Sequence, residues 1–391
     1  MTALMNTYGT PAEGFSHGDG AYLYDNNGNR FLDALSGIGV NALGHAHPVV
    51  SQAIKDQADK LIHTSNLYGI EKQQLLAEAL HRVSGMDKVF FGNSGAEANE
   101  AAIKIARLYG HQKGVDRPHI VVMESAFHGR TMATLSASGN RKIQAGFEPL
   151  VSGFIRAPYG DLKALQTIAS NNKDVVAILI EPLQGEAGVN VLPEGFLKEL
   201  RALCDSNHWL MMLDEVQTGN GRTGAYFAYQ HEAIMPDVVT TAKGLGNGVP
   251  IGACLAHGKA AEVFGPGNHG STFGGNPLCS AAALAVVETI EADKLGDHAA
   301  NIGNHMLAAF KEQLADIEMV IDIRGKGLMI GIELKQPCPE LVNDIRKLGV
   351  LINVASGNVV RMLPPLIIDQ QQADTIIAAV TAAIKAFAQH S

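Results

Sequence analysis

Two apolar runs of this chain end in groups that could do chemistry together. Lys243 follows the run from Asp237 to Ala242, and Asp214 closes the run that begins at Trp209. If the two runs form neighbouring strands, their carboxyl ends bring an amine and a carboxylate to one edge of a sheet. A lysine amine forms an imine with an aldehyde, and a carboxylate pairs with a protonated pyridine nitrogen. The two side chains therefore suit pyridoxal phosphate.

A glycine-containing turn could provide a third contact for such a cofactor. The turn includes Ser94, Gly95 and Ala96, follows an apolar run and opens a helical pattern. Backbone N–H groups at the start of a helix bind phosphate well, and these three residues are the nearest donors. Taken alone, the turn is equally compatible with a simple strand-to-helix connection. Together with Lys243 and Asp214 it predicts a phosphate site.

Three further side chains follow strand-like runs at what should be the same end of the sheet. Phe127 and Arg130 come soon after the run 120–123, and Glu186 lies on a loop after the run 175–180. An aromatic ring can cover a pyridine face, and a guanidinium can pair with a carboxylate through two hydrogen bonds. The alternative is a core phenylalanine and a solvated arginine.

Length and charge limit the classes of protein that this chain can be. A chain of 391 residues with 46% hydrophobic content exceeds one ordinary core and should divide into domains. The net charge is −9 and no basic block occurs, which argues against a nucleic-acid partner. Any anionic substrate must then be bound by a few local arginines.

The cysteines and histidines show no pattern of a disulfide framework or a metal site. The four cysteines lie far apart without a CxxC pair, which fits a reducing compartment. His45 and His47 lack an evident third ligand, so we expect no metal. No apolar run is long enough for a membrane span and no signal pattern begins the chain, so we expect a cytoplasmic protein.

The pattern along the chain favours an α/β fold class. An Asn27-Gly28 hairpin precedes apolar runs that alternate with helical stretches, which predicts a mostly parallel sheet covered on both faces. An Ala-rich helical region after residue 276 leads into an α+β segment. The expected divisions are an N-terminal segment 1–45 packed with the small domain, a large domain 46–275 and a small domain 276–391. The predicted strands are 21–24, 30–32, 88–91, 120–123, 175–180, 209–213, 237–241, 251–255, 320–325, 328–334, 350–354 and 359–363.

Two formal motif matches lack their structural partners. The segment 219–224 satisfies GxGxxG, but no acidic residue closes a second strand at the distance that a ribose contact needs. The run ending in Asp214 imitates the magnesium-binding strand of an ATPase, yet the chain contains no GxxxxGK[ST]. Dinucleotide and ATP sites are therefore not expected.

Ordered blocks along almost the whole chain resemble the class III, fold-type I aminotransferases, which use pyridoxal phosphate. The blocks are NALGHAHP, NSGAEANEAAIKIAR, AFHGR, EPLQGEAG, LDEVQTGNGRTG, AKGLGNGVPIGA, GSTFGGNP and RMLPPL. The resemblance implies a large domain with a mixed, mostly parallel sheet and a smaller α+β domain built from both termini. It also implies a homodimer with active sites at the interface.

The resemblance assigns the cofactor contacts residue by residue. Lys243 is expected to bind the cofactor aldehyde covalently, Asp214 to pair with the ring nitrogen, and Gln217 to reach the phenolic oxygen. The other implied contacts are Ser94, Gly95 and Ala96 for the phosphate, Phe127 and Val216 for the two ring faces, and Thr272 for the phosphate of the neighbouring subunit.

The same resemblance assigns the substrate contacts. Arg130 is expected to hold the distal carboxylate and Arg361 the α-carboxylate of glutamate or 2-oxoglutarate, with Ser271 beside the substrate. A substrate with a bare methylene at its reacting carbon would leave Arg361 unpaired in the pocket. We therefore expect Glu186 to pair with Arg361 in one half-reaction and to withdraw in the other.

Within the family, the blocks around residues 35–48 and 126–139 are most similar to acetylornithine aminotransferases. This implies transfer of the δ-amine of N2-acetylornithine to 2-oxoglutarate, a step of arginine biosynthesis. The alternatives are succinylornithine, ornithine or 4-aminobutyrate as amine donor, an aminomutase, or a non-catalytic regulator. Ile38 stands near a position where ornithine aminotransferases often have tyrosine, which favours an N-acylated substrate. Ala187 and Asn220 depart from the family pattern, and we expect them to alter the pocket lip.

Overall fold

The computed structural model describes residues 3–8 and 14–389. The strands are β1 (Phe15–Asp19), β2 (Tyr22–Asp25), β3 (Arg30–Asp33), β4 (Lys88–Gly92), β5 (His119–Met123), β6 (Phe154–Ala157), β7 (Val175–Ile180), β8 (Leu183–Gln184), β9 (Asn190–Val191), β10 (Leu210–Asp214), β11 (Val238–Thr241), β12 (Gly252–Ala256), β13 (Val320–Lys326), β14 (Met329–Leu334), β15 (Val350–Leu351), β16 (Asn353–Ala355) and β17 (Val359–Met362). The helices are α1 (Ser36–Gly39), α2 (Pro48–Ala58), α3 (Glu71–Ser84), α4 (Gly95–Gln112), α5 (Met132–Ala137), α6 (Arg141–Gln144), α7 (Leu162–Asn171), α8 (Phe196–Asn207), α9 (Pro277–Ala292), α10 (Leu295–Gln313), α11 (Leu341–Lys347) and α12 (Gln370–Gln389).

A seven-stranded sheet forms the centre of the molecule, in the order β4-β12-β11-β10-β7-β5-β6. Its strands run parallel except β12, which is antiparallel to both of its neighbours. Every residue of β7, β10 and β11 is buried, as expected for continuous apolar runs in a sheet with helices on both faces. The predicted mostly parallel α/β sheet is confirmed.

Two four-stranded sheets contain the strands of the N-terminal and C-terminal parts of the chain. One has the order β1-β2-β3-β15 and the other β13-β14-β17-β16. Because β15 pairs with β3 in parallel, the N-terminal hairpin lies against the C-terminal part of the chain. The prediction of one strand over 350–354 is wrong, since β15 and β16 belong to different sheets and are separated by the buried Ile352. Apolar runs report burial and do not identify the pairing partner.

Helix α9 joins the two hydrophobic cores. Ala282, Val286 and Ile290 belong to the core shared by the N- and C-terminal sheets, while Ala283 and Val287 pack in the core of the large sheet. A helix that packs on two sides is apolar nearly all round, which explains the Ala-rich stretch after residue 276. The divisions near residues 45 and 275 stay a prediction.

Membrane-spanning helices and clusters of metal ligands are both absent from the described residues. None of the helices in that part of the chain combines the length and apolar content needed to cross a bilayer. The same residues contain no group of three or more His, Cys, Asp or Glu side chains arranged to hold a metal ion. His45 instead bonds to the carboxylate of Asp33 at 2.8 Å, and His47 precedes the first turn of α2.

Candidate active site

The carboxyl ends of β10 and β11 meet at one cavity at the edge of the large sheet. Asp214 ends β10, and β11 leads through Ala242 to Lys243, the first residue of a short 3-10 turn. The two strands are adjacent and parallel, with Asp214 in register with Thr240. The cavity has a volume of about 250 Å³ and is lined by Gly95, Ala96, Asn99, Phe127, His128, Gly129, Arg130, Glu181, Leu183, Glu186, Asp214, Val216, Gln217 and Lys243.

The amine of Lys243 faces this cavity from an uncommon backbone conformation. Its φ of 44° lies in the left-handed region, which non-glycine residues rarely adopt. Burial lowers the pKa of Lys243, and the nearby carboxylate of Glu186 opposes the shift without cancelling it. A lowered pKa increases the fraction of neutral, nucleophilic amine at neutral pH.

Asp214 is held by three hydrogen-bond donors. Its Oδ2 accepts from Asn99 Nδ2 at 2.8 Å and lies 2.7 Å from His128 Nδ1, while Oδ1 accepts from the backbone N–H of Val216 at 3.1 Å. An ionised carboxylate offers acceptors alone, so the proton of His128 belongs on Nδ1. Donors on several sides stabilise a carboxylate anion and fix its orientation towards the cavity.

The start of α4, where the sequence predicts a phosphate site, lies at the wall of this cavity. Ser94 is the N-cap, and its Oγ accepts from Glu97 N at 3.2 Å. The first N–H groups of a helix have no partner inside the helix, and Gly95 and Ala96 both line the cavity. A Cβ on Gly95 would lie 2.7 Å from Val216 Cγ1, so glycine is required for the helix to approach Val216 this closely.

Arg361 and Glu186 form an ion pair beside the cavity. Arg361, on β17, is fully buried, and its Nη1 lies 2.8 Å from Glu186 Oε1. Its Nε donates to Asn353 Oδ1 at 3.1 Å, and its Nη2 has no hydrogen-bond partner among the described residues. Burial raises the pKa of Glu186, but the charge and hydrogen bond of Arg361 outweigh it, so the pKa is lowered overall. Gln217 lies within 3.5 Å of both groups.

Arg130 and Phe127 lie together at the cavity wall. The guanidinium carbon of Arg130 lies 5.7 Å from the centre of the Phe127 ring, within the range of a cation–π contact. Arg130 is exposed and Phe127 is half-buried, which leaves the arginine accessible to a ligand. The structure thus brings nine of the predicted residues onto the cavity wall: Gly95, Ala96, Phe127, Arg130, Glu186, Asp214, Val216, Gln217 and Lys243.

Ser271 and Thr272 lie away from the cavity in the single chain. Ser271 Oγ accepts from Asn93 Nδ2 at 3.2 Å and from Gly274 N at 3.0 Å, and Thr272 is exposed. Neither residue belongs to the cavity lining. An exposed Thr272 is compatible with the expected contact to another subunit.

Three polar residues of the cavity wall were not predicted from the sequence. Asn99 lies one helical turn after Gly95 on the same face of α4, His128 follows Phe127, and Glu181 directly follows β7. A polar residue one turn into a helix with an otherwise apolar face was the available signal for Asn99. Burial, together with the charge of Asp214, raises the pKa of Glu181 well above its usual value.

The expectation that Asn220 alters the pocket lip is wrong. Asn220 is buried behind the cavity, where its Nδ2 donates to Thr241 Oγ1 at 2.9 Å and to Ala242 O at 3.2 Å. The side chain therefore braces the backbone immediately before Lys243. Ala187 and Ile38 are not among the cavity-lining residues.

The fold and this edge site define a fold-type I transferase, and comparison with known proteins identifies the family. The model of class-III aminotransferases matches residues 9–384. The chain belongs to the class-III aminotransferase family.

Relatives and solved structures narrow the likeness within that family. The acetylornithine aminotransferase of Nitrosomonas europaea is 57% identical over 99% of this chain and 98% of its own length. The crystal structure of acetylornithine aminotransferase from Elizabethkingia anophelis is 35% identical with a TM-score of 0.89, covering 98% of this chain and 96% of that one. An ornithine aminotransferase structure from Toxoplasma gondii, with partial occupancy of pyridoxal phosphate at its active site, is 32% identical with a TM-score of 0.95, covering 99% and 93%.

Proposed function

We propose that this enzyme is an acetylornithine aminotransferase that uses pyridoxal phosphate. It transfers the δ-amine of N2-acetyl-L-ornithine to 2-oxoglutarate and produces N-acetyl-L-glutamate 5-semialdehyde and L-glutamate, in arginine biosynthesis. The observation that carries the proposal is the ion pair of Glu186 with the buried Arg361 beside the amine of Lys243. Glutamate carries a carboxylate at its reacting carbon and acetylornithine does not. The enzyme therefore needs an arginine whose charge is free to bind the carboxylate in one half-reaction and is paired with a protein carboxylate in the other.

The residues of the cavity fit pyridoxal phosphate. Lys243 offers an amine whose pKa is lowered by burial, Asp214 an oriented carboxylate, and α4 a set of N–H donors that Gly95 leaves accessible. Phe127 and Val216 would flank the ring, and Gln217 would reach its phenolic oxygen. When bound, the cofactor supplies an aldehyde for the amine and a ring that accepts electron density.

Lys243 also serves as the base of the reaction. Its Nζ removes the proton from the reacting carbon of the substrate once the substrate amine has taken its place. The lowered pKa of Lys243 suits this role, because a base works best when it is largely unprotonated at the working pH. With the cofactor bound, Asp214 would hold a proton on the ring nitrogen, and the protonated ring would stabilise the negative charge that develops on the substrate carbon.

The two arginines divide the recognition of carboxylates. We expect Nη2 of Arg361, which has no hydrogen-bond partner among the described residues, to receive the α-carboxylate of glutamate after Glu186 withdraws. In the other half-reaction Glu186 stays paired, so that no buried guanidinium faces a methylene. Arg130 is accessible at the cavity wall and grips the remaining carboxylate of either substrate.

The carboxylic acids of the cavity favour a substrate whose α-amine is acylated over one whose α-amine is free. Of the lining residues in the described ranges, three are carboxylic acids. Asp214 is bonded to Asn99 and His128, and Glu186 is paired with Arg361. Glu181 is buried and accepts from the backbone N–H of Phe127 at 3.2 Å, and burial raises its pKa. None of the three is free to receive the α-ammonium of ornithine. Free ornithine is the second candidate substrate, because the fold closely matches an ornithine aminotransferase.

Single-turnover kinetics with a panel of amine donors test this function. We expect acetylornithine to react with a kcat/KM at least about 10-fold above those of ornithine and 4-aminobutyrate, with succinylornithine between them. Repeated turnover, beyond the first cycle, should depend on 2-oxoglutarate, which an aminomutase does not need. Faster reaction of ornithine, or repeated turnover without a keto acid, would refute the assignment.

Replacing Glu186 by glutamine should change the balance between the two half-reactions. Glu186→Gln removes the charge that masks Arg361, so we expect the acetylornithine half-reaction to slow by about 10-fold. The glutamate half-reaction, in which Glu186 withdraws, should change less than about 2-fold. Rapid-mixing absorbance measurements give the rate of each half-reaction and hence the ratio of the two rates. Glu194→Gln, an exposed residue on the following segment, is the control.

We also propose a homodimer in which Thr272 completes the partner's phosphate site. Leu67 and Phe273 are 87% and 59% exposed, which is unusual for large apolar side chains near an active site. Asn66 Nδ2 donates to Ser271 O at 3.2 Å and to Gly274 O at 3.1 Å, so both segments form one surface. Sedimentation velocity should show a particle of twice the 41.4 kDa chain mass.

A further inference from the structure

The loop that carries Glu186 lies across the small sheet between two arginines. Arg324, Gly331 and Arg361 are paired residues on β13, β14 and β17, so they form one row across the sheet. Directly paired residues of antiparallel strands project from the same face. Arg324 and Arg361 therefore stand on one face with a glycine between them.

Gly331 leaves the space in which the loop packs. A Cβ at this position would lie 3.0 Å from Val189 Cβ and 3.1 Å from its Cγ2. Val189 is fully buried and forms a small apolar cluster with Leu183, Met329 and Leu363. The segment after Glu186 is thus seated on the sheet that contains Arg361.

Arg324 binds the backbone of this loop. Its Nη2 donates to Gly188 O at 2.6 Å, and its Nε is shared between Gly188 O at 3.1 Å and Val189 O at 3.0 Å. Its Nη1 faces the opposite way, towards Glu333 at 2.5 Å and Asp322 at 3.0 Å. A planar guanidinium with fixed donors can hold two carbonyls and two carboxylates at once.

We propose that Arg324 is a positioning residue for substrate selection, which rests on the proposed function above. Arg324 fixes the backbone on one side of Glu186, and Arg361 binds its side chain. With the backbone fixed to the same sheet as Arg361, Glu186 exchanges partners by side-chain rotation while the loop stays in place. It therefore returns to Arg361 after each glutamate leaves. Loss of Arg324 releases the loop and weakens the ion pair between Glu186 and Arg361.

The test uses Arg324→Lys in the holoenzyme. Lysine keeps the charge but cannot hold both carbonyls, so we expect the acetylornithine half-reaction to slow by about 10-fold. The glutamate half-reaction should change less than about 2-fold, and amide hydrogen exchange should increase over residues 185–190. Asp322→Asn is the control, since it removes one carboxylate partner of Arg324 and keeps its bonds to the loop.

Two further variants separate positioning from a general loss of structure. In the double variant Glu186→Gln with Arg324→Lys, the half-reaction ratio should equal that of Glu186→Gln alone, because both act through one contact. Gly331→Ala, which crowds Val189, should reproduce the kinetic ratio of Arg324→Lys if the lysine variant does not fold. Equal slowing of both half-reactions, an unchanged ratio, or additive effects in the double variant would overturn the proposal. Wild-type turnover with acetylornithine and 2-oxoglutarate tests the proposed function separately.

Discussion

Lys243→Ala is expected to lower kcat/KM for transamination by at least about 10⁴-fold. The substitution removes both the amine that would attach the cofactor and the base that moves the substrate proton. No other lysine lines the cavity in the described part of the chain, so no neighbouring amine can replace it. Asp214, Gly95 and Ala96 keep their places, and the variant should still bind pyridoxal phosphate without a covalent bond.

Borohydride reduction followed by peptide mass spectrometry checks the covalent part of this prediction. In the wild type the pyridoxyl group should appear on Lys243, and the variant should carry none. Equilibrium dialysis should show cofactor retained by the variant. Lys335→Ala, which replaces an exposed lysine that contacts an exposed glutamate, serves as control and should keep full activity. Cofactor fixed to another lysine, or activity within about 100-fold of wild type, would contradict the assignment.

The large sheet was predictable because its strands are buried on both faces. Strand β7 has the bounds that its apolar run predicts, β11 begins one residue later than predicted, and β10 and β12 are each shifted by one residue at both ends. Edge strand β6 was missed, since its residues are only partly apolar and one of its sides has no neighbouring strand. In the small sheets, which strand pairs with which depends on contacts between segments far apart in the sequence. The local pattern of apolar residues carries no information on those contacts.

The strand-end residues of the site were predictable for a related reason. Parallel strands bring their carboxyl ends to one edge, so Lys243 and Asp214 could be placed together before any contact was known. The polar position of Asn99 was visible in the sequence, but its contact with Asp214 and that of His128 were not, because these hydrogen bonds span 115 and 86 residues of sequence. Asn220 was misplaced since its contacts lie behind the strand end and not in front of it.

The negative charge of Asp214 is expected to have the second-largest effect on the rate of the reaction. Asp214→Asn is expected to lower kcat by about 10²- to 10³-fold, with a smaller change in KM. The side-chain shape is kept, but a neutral amide no longer holds a proton on the ring nitrogen of the cofactor. The new NH₂ group is itself a donor and replaces an oxygen that accepts hydrogen bonds. At least one of the three groups that now donate to this side chain then loses its acceptor; these are Asn99 Nδ2, His128 Nδ1 and Val216 N. Proton removal from the substrate carbon should become slower than every other step.

Two measurements separate this electrostatic loss from a loss of structure. The primary deuterium isotope effect at the reacting carbon should increase in Asp214→Asn, and ¹⁵N NMR of labelled cofactor should show a neutral ring nitrogen. Glu215→Gln is a matched control, since the neighbouring carboxylate bonds to Ala228 N and Tyr229 N and lines no part of the cavity. It should leave the nitrogen signal unchanged. If Asp214→Asn kept a protonated ring nitrogen, the charge of Asp214 would not be what holds the proton, and His128 would be the next group to test.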